Sequence, residues 1–512
     1  MSRSHTQFTP YSRALITIAV MSATLMQVLD TTIVNVALPH MEGSLGTTSD
    51  EISWVLTSYL VASAILMPLT GYFTDRLGQK KYLLISISGF VIASILCGAA
   101  ESIGQIVFFR LLQGVFGAAL VPLSQAILTD IYPPEERGSA MAIWGVGVMV
   151  GPVLGPTLGG YLTEIASWRW NFYINVPVGI FCLMLTWQML PETKTKERKM
   201  DWIGLTLISL SIGSLQFFLD RGNQDDWLNS SVICIALFLS VIGFLGFILN
   251  NIGKKSEDTV FELSIFSDRN FAIGCILIAV FGLGFYGAMI VIPLMLENLF
   301  NYPVLTTGLV MAPRGLSGMA SMLIVGKLMK YVDPRKIIII GVLISGYGIY
   351  IGTRYNLDIS YGWIIYPMIL QGFGLGMIFV PLSAVAFSTL PASSRAEGAG
   401  LFSLLRTLGS SIGISVVATV LTRRTQMAWN QLGGFINPYN PAVTHYLQPL
   451  HINNNSPLAI AILARTLARH AQMLSFVDVF ALIAASFVIM LPLVFLLQKP
   501  KKQQDEPTIY FE

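Results

Sequence analysis

Asp30 stands in MQVLDTTIVNVALP, residues 26–39, and is the only Asp, Glu, Lys or Arg between Arg13 and Glu42. A carboxylate in so long an apolar run is costly unless it faces a wet cavity, takes up a proton or meets a cation. Its chemistry would be protonation or substrate-linked charge exchange; a packing ion pair made once is the plainer alternative. Arg110, at the head of RLLQG, is an equally isolated cation. It would pair with Asp30 and tune its proton affinity, or serve packing alone. Arg314 in APRG and Arg406 in LLRTLG are isolated in the same way. Each would attract an anion, or snorkel and bind backbone carbonyls. Other chemistry has little support. Cys97, Cys182, Cys234 and Cys275 are far apart, the five histidines are scattered, and neither HExxH nor GxxxxGK[ST] occurs. The sequence therefore points away from an enzyme, a metal centre, a cofactor or an ATPase. Energy for any transport would come from an ion gradient or a partner.

The elements that must hold these residues are set by composition. Of 512 residues 54% are hydrophobic and 12% charged, with mean hydropathy +0.66. Soluble domains carry about a quarter of their residues as charge. Lys plus Arg total 31 against 28 Asp plus Glu, which leaves no basic excess for a nucleic acid. Runs of roughly 20 apolar residues, long enough to span hydrocarbon, occur at about 14–37, 51–73, 82–99, 105–129, 139–162, 170–190, 201–219 and 230–250. Six more lie at about 271–296, 304–326, 336–353, 361–387, 397–420 and 477–498, giving fourteen. The first reads as a retained helix rather than a signal peptide.

With both termini placed in the cytoplasm, 21 Lys and Arg fall inside and seven outside: Arg169, Arg221, Arg354, Arg423, Arg424, Arg465 and Arg469. Inner positions include Arg3, Arg13, Lys194, Arg198, Lys199, Lys255, Lys499, Lys501 and Lys502. This is the positive-inside bias. One long outer loop is expected at 421–476, and its segment 457–475 reads as a short amphipathic helix at the membrane surface or a cap over the outer opening.

The chain also repeats itself. QG, a small-residue run and PLS occur in the same order after Arg110 and after Met368, with Gln113 and Gln371 258 residues apart. GYFTDRLGQKK at 71–81 has a weaker echo in GKLMKYVDPRK at 326–336, where Gly78 has no glycine counterpart. Two related bundles with a path between them are the expected plan: 1–199, an inserted helix pair at 200–255, and 256–512. In GVGVMVGPVLGPTLGG, residues 145–160, small residues recur every three or four positions and admit a close helix. Pro152 and Pro156 remove helix hydrogen bonds, which suits a bendable gate or a static kink. In the loop at 71–81, Asp75 would cap or pin a neighbouring helix, and Arg76, Lys80 and Lys81 mark the inner face.

These motifs together resemble the major facilitator superfamily, in its fourteen-span drug/proton antiporter branch, over almost the whole length. The loop signature is carried by Gly71, Asp75, Arg76, Gly78 and Lys80, and the fourth-span signature by Arg110, Gln113 and Gly114. The antiporter signature is carried by Gly151, Pro152, Gly155, Pro156, Gly159 and Gly160. LDTTIVNVALP, WRWNFYINVPVG at 168–179 and LDRGNQDDW at 219–227 look like that branch. The resemblance implies an all-α major facilitator fold, two six-helix bundles plus two inserted helices, working by alternating access. It further implies that Asp30 and Arg110 couple protons, that 145–160 is the gate, and that 71–80 is an inner-loop latch. It implies a bacterial inner-membrane exporter in a tripartite pump with a periplasmic membrane-fusion adaptor and an outer-membrane channel. The expected function is proton-coupled efflux of amphipathic small molecules, with Met26, Gln27, Gln113, Phe116, Tyr286, Met289, Arg314 and Arg406 along the substrate path. A specific metabolite such as a siderophore is the alternative cargo, and a non-transporting sensor or scaffold the alternative function.

Overall fold

The computed structural model describes residues 9–133, 136–193, 195–196, 200–252, 254, 259–437, 439–453 and 456–498. Arg3, Lys194, Arg198, Lys199, Lys255, Lys499, Lys501 and Lys502 lie outside the described residues, as do both chain ends. Among the described residues there is no strand, and fourteen helices are long and apolar enough to cross a membrane. In the first half they are α1 (Pro10–Leu45), α2 (Asp50–Leu77), α3 (Gln79–Ala99), α4 (Ile103–Ile131), α5 (Arg137–Ile165) and α6 (Trp170–Met189). The inserted pair is α7 (Trp202–Arg221) and α8 (Ser231–Asn251). The second half holds α9 (Arg269–Leu299), α10 (Thr306–Leu328), α11 (Pro334–Arg354), α12 (Tyr361–Ala386), α13 (Arg395–Gly433) and α14 (Pro457–Phe495).

Polar caps mark where the apolar runs begin. Thr9 accepts from the Ser12 N–H ahead of α1, and Thr48 and Glu51 form a capping box ahead of α2. Asp201, Asp268 and Ser456 likewise cap α7, α9 and α14.

The internal repeat is visible as a repeated neighbour pattern. In the first half α1 packs on α5 and α6, α2 on α4, and α3 on α4 and α6. In the second half α9 packs on α13 and α14, α10 on α12, and α11 on α12 and α14. Each of these pairings in one bundle has its counterpart in the other. The seam runs along α5 against α10 and α12, and along α2 and the second part of α4 against α13. The inserted α7 lies across both halves. Its Asp220 and Arg221 bond Thr57 and Ser53 of α2, while Gln216 donates to Ser411 of α13.

Within the fourth span, Ile103–Ile131, the helix is interrupted by a turn at Ala118 and Ala119, because Pro122 has no N–H and its ring conflicts with the Ala118 carbonyl. The freed Val121 N–H is taken by Gln27 Oε1 at 3.0 Å. Two expectations are corrected. The segment 421–476 is not a long loop, since α13 continues to Gly433 and α14 starts at Pro457. The segment 457–475 is not a separate surface helix but the first half of α14. Nothing between Pro457 and Pro492 breaks it, and Ala459, Leu467 and Ala471 are buried. At 1.5 Å per residue each 39-residue helix is about 58 Å long, against about 30 Å of hydrocarbon, so both project past the membrane. Arg424 of α13 and Asp478 of α14 pair at 3.3 Å.

Candidate functional site: a closed carboxylate network beside a seam helix

Asp30 is fully buried, and all its neighbours are donors. Arg110 Nη1 donates to Oδ2 at 2.6 Å; Gln113 Nε2 and Asn175 Nδ2 donate to Oδ1 at 2.9 and 2.8 Å. Arg110 also donates to Gln113 Oε1 at 2.8 Å and, through Nε, to the Val55 carbonyl at 3.1 Å. Its guanidinium lies over the Tyr59 ring, 4.4 Å from the centroid. Ser94 closes the set by accepting from both Gln113 and Asn175 and donating to the Phe172 carbonyl. Five helices, α1, α2, α3, α4 and the start of α6, therefore contribute to one network around the carboxylate. A buried ion pair repays its desolvation only when further hydrogen bonds of this kind surround it. Protonation of Asp30 would replace an acceptor with an O–H among groups that all present N–H. The network could not persist unchanged.

The glycines at 145–160 connect this network to the seam. A Cβ on Gly151 would lie 2.8 Å from the Val28 carbonyl carbon, one on Gly155 would overlap Thr32 Oγ1, and one on Gly159 would lie 2.9 Å from the Ile33 carbonyl oxygen. One glycine stripe of α5 therefore lies on the segment of α1 that carries Asp30, and Thr32 donates to the Gly151 carbonyl at 3.1 Å. Gly160 is off the stripe, with Val36 3.7 Å away. The other face of α5 meets the second bundle. Val153 fills the space left by Gly315 of α10, and Trp144 stacks on Phe379 of α12 at 5.4 Å. Pro152 and Pro156 lie within the continuous helix.

The expected inner-loop latch lies at the other end of α2 from Val55. Gly78 has φ +83°, a conformation that disfavours a side chain. Gly71 packs under Glu397 of α13, where a Cβ would approach within 2.5 Å. The Asp75 carbonyl accepts from the Lys196 N–H at 2.7 Å, and Arg76 donates to the Tyr72 hydroxyl at 2.6 Å. Lys80 is half-buried. A charged link across the seam is made by a residue that the motif does not include. Asp130 accepts from Gln79 at 2.9 Å and from Arg395 of α13 at 2.9 Å.

The residues expected along the substrate path separate. Gln113 belongs to the Asp30 network, Gln27 supports the break in α4, and Met26 is buried against Gly179 of α6. Phe116 packs on Gly89 of α3. Tyr286 and Met289 are half-buried on α9. Arg314 and Arg406 are buried, 8% and 9% exposed, and neither has an acidic partner among the described residues.

Sequence reasoning missed Ser94, Asn175, Asp130 and Arg395. Asn175 was signalled by an amide within the apolar run NFYINVPVG, and Ser94 by nothing beyond a hydroxyl in a span. Asp130 and Arg395 read as ordinary loop charges, because pairing across 265 residues leaves no local trace. Among the described residues no cluster of His, Cys, Asp and Glu is placed to hold a metal.

Comparison with known proteins agrees with this architecture. The family model described as Major Facilitator Superfamily matches residues 20–414. The multidrug export protein EmrB of Escherichia coli K12 is 35% identical over 491 residues, 95% of each chain. The fatty acid resistance protein FarB of Neisseria gonorrhoeae is 34% identical over 492 residues, 95% of this chain and 96% of that one. The structure of the human organic anion transporter MFSD10 (TETRAN) superposes with TM-score 0.63 at 15% identity, covering 96% of this chain and all of that one. That likeness bears on fold alone. A fourteen-span membrane protein with two repeated bundles, the chain belongs to the major facilitator superfamily, is closely related to EmrB-like multidrug exporters, and is a small-molecule transporter rather than an enzyme.

Proposed function

We propose that this protein exports hydrophobic or amphipathic compounds across a bacterial inner membrane in exchange for protons. It would act as the transporter subunit of a tripartite pump with a periplasmic adaptor and an outer-membrane channel. The observation that carries the reading is the buried Asp30–Arg110 pair, whose carboxylate accepts three hydrogen bonds, lying against the α5 glycine stripe, whose opposite face meets the second bundle. Proton uptake at Asp30 breaks a network of five helices, α1 shifts against α5, and α5 passes the shift to α10 and α12. The units 1–199, 200–255 and 256–512 are the moving bundle, the insert and its opposing bundle. The relatives' names, multidrug export and fatty acid resistance, favour varied amphipathic cargo. The adaptor is favoured by relationship alone, with the projecting ends of α13 and α14 as its seat.

Reconstitution into vesicles with an imposed pH gradient tests the reading. Wild-type protein is expected to move a dye or an uncoupler against its gradient and to release protons when cargo is added. Asp30→Asn, at equal membrane abundance, is expected to lose both. Gradient-driven export at the wild-type rate by Asp30→Asn would remove Asp30 from coupling. Transport restricted to one siderophore or metabolite in a mixed panel would replace the cargo class. No gradient-dependent transport of any compound would leave a sensor or scaffold.

A further inference from the structure

The turn at Ala118 and Ala119 divides α4 between different neighbours. Its first part, Ile103–Gly117, packs on α2 up to its last residue. A Cβ on Gly114 would lie 2.5 Å from the Tyr59 carbonyl oxygen, and one on Gly117 would lie 2.9 Å from the Tyr59 hydroxyl. Arg110, in the same part, lies over the Tyr59 ring and donates to the Val55 carbonyl. The second part, Leu120–Ile131, packs on α1 and α13 instead. Gln27 Oε1 takes its Val121 N–H at 3.0 Å, and Ser124 Oγ donates to the Val20 carbonyl at 2.9 Å. Just past the helix end, the Tyr132 hydroxyl meets Thr17 Oγ1 at 3.0 Å. Asp130 of this part holds Arg395 of α13. Ala119, the residue that should cap the second part, has no side-chain acceptor, so the cap comes from α1. Gln27 lies three residues before Asp30, on the same face of α1. That face therefore grips both parts of α4, one on each side of the break. It reaches the first part through the Asp30 carboxylate, which accepts from Arg110 and Gln113, and the second through a neutral amide.

We propose that Gln27 is a positioning residue of the proton cycle. It fastens the second part of α4 to α1, and the turn at Ala118 and Ala119 is the hinge that lets that part follow α1. The proposal rests on the efflux reading and adds to it a second route from Asp30 to the opposite bundle, through α4 to α13. While Asp30 is ionised, Arg110 and Gln113 hold α1 against the first part, and both parts keep one position relative to it. A proton on Asp30 removes the charge that strengthens those bonds, whereas the neutral bond from Val121 to Gln27 is untouched. The first part stays on α2, and α1 draws the second part away with it. Pro122 has no N–H to join the two parts into one helix, so the break takes up the displacement. Asp130 is carried off Arg395, and the seam between α4 and α13 opens.

Ser403 supplies the reporter. It lies between Gly400 and Thr407 on the face of α13 that meets Met67 of α2, and it is 1% exposed. A maleimide therefore reaches a thiol placed there by Ser403→Cys only when the seam opens. The full chain with Ser403→Cys and Cys234→Ser is held in nanodiscs at pH 7 without a gradient. Asp30→Asn stands in for the neutral acid at fixed pH, so thiol reactivity is unaltered, and it is expected to quicken labelling about tenfold. Adding Gln27→Met, which removes the acceptor at similar volume, should return the rate to within twofold of the parent. Ala119→Ser in that chain supplies the cap locally. It should recover the thermal stability that Gln27→Met loses yet leave labelling slow, because the tie to α1 is still missing. Pro122→Ala lets α4 close into one helix and should also suppress the effect of Asp30→Asn, whether or not the Gln27 variant folds. Labelling as fast with Gln27→Met or Pro122→Ala as with Asp30→Asn alone would overturn the proposal. Fast labelling restored by Ala119→Ser would make Gln27 a local cap and equally overturn it. An unchanged rate in Asp30→Asn itself would overturn it at its first step. Gradient-driven export by the wild type is measured separately in vesicles. With that export intact, any of these results removes the hinge and leaves the efflux reading standing.

Discussion

The two bundles share one neighbour pattern but treat buried charge in opposite ways. In the first, Arg110 has a carboxylate at 2.6 Å, an amide and a backbone carbonyl, and its donors point into a closed set. The position aligned with it in the second is Met368, and Gln371, aligned with Gln113, has an unbonded Oε1 where its counterpart binds Arg110. The second bundle's arginines sit on α10 and α13 instead, and no carboxylate meets them among the described residues. Duplication preserved the helix packing, which depends on small residues and apolar surface. The charges inside were free to diverge, because that packing does not depend on them. The difference teaches that a symmetric scaffold can give one half a buried carboxylate with its own counter-ion, and the other half buried cations with no carboxylate beside them among the described residues.

The sharpest way to break this comparison is to copy the second bundle into the first. Arg110→Met leaves Asp30 buried with amide donors alone, and removing one member of a buried pair costs about 3–5 kcal/mol. The variant is expected to unfold at markedly lower temperature in detergent and to show no gradient-driven export. Asp30→Asn placed in the same chain should recover most of the lost stability, since an amide is cheap to bury, but none of the export. If the single and double variants are equally stable, the pair is not the closed unit described.

A smaller effect separates the α5 stripe from its surroundings. Gly155→Ala drives a methyl into Thr32 Oγ1 and must push α1 away, an overpacking worth about 1–3 kcal/mol. Gly160→Ala meets only Val36 at 3.7 Å and should change little. In vesicles, Gly155→Ala is expected to lower export about tenfold or more, with Gly160→Ala within twofold of wild type. Equal behaviour of the two would show that the spacing of α1 and α5 does not limit the cycle.

What was legible in the sequence follows from the range over which each signal acts. Fourteen spans are local sums of hydropathy, so each expected run contains a helix. The repeat was legible because its motifs are contiguous, and the isolation of Asp30, Arg110, Arg314 and Arg406 needed only their flanks. The break in α4 was written in Pro122, but its stabilisation by Gln27 comes from another helix. The extent of α13 and α14 was misread because arginines and amides at 423–433 and 465–470 resemble a loop when scored by hydropathy. They sit on helices whose backbone is satisfied whatever the solvent. Asn175 as a partner of Asp30, and Ser94 as a member of the network around it, were illegible, since 145 and 64 residues of chain separate them from it.

The smallest expected effect lies at the seam, on the face where α1 begins. Asp130 and Arg395 join the bundles there at 2.9 Å, but their side chains remain 27% and 13% exposed. Ion pairs open to solvent are worth about 0–1 kcal/mol and are screened by salt. Arg395→Ala should therefore shift the equilibrium between seam-closed and seam-open states by no more than about fivefold. Ser139 bonds the Gly326 carbonyl across the same seam at 3.3 Å, so Ser139→Cys reports its opening. Cys234 is the one half-exposed native thiol among four, and its replacement by Ser removes the background. Labelling of the thiol introduced at position 139 by a membrane-impermeant maleimide is expected to quicken a fewfold in Arg395→Ala. Raised salt should bring the chain that keeps Arg395 to nearly the same rate. A hundredfold increase would mean that the ion pair, and not the backbone contacts of Gly71 and Gly400 with α13 and α2, holds the bundles together. The second bundle's charge at the seam would then be as closed as the first bundle's core, and the contrast between them would be confined to Arg314 and Arg406.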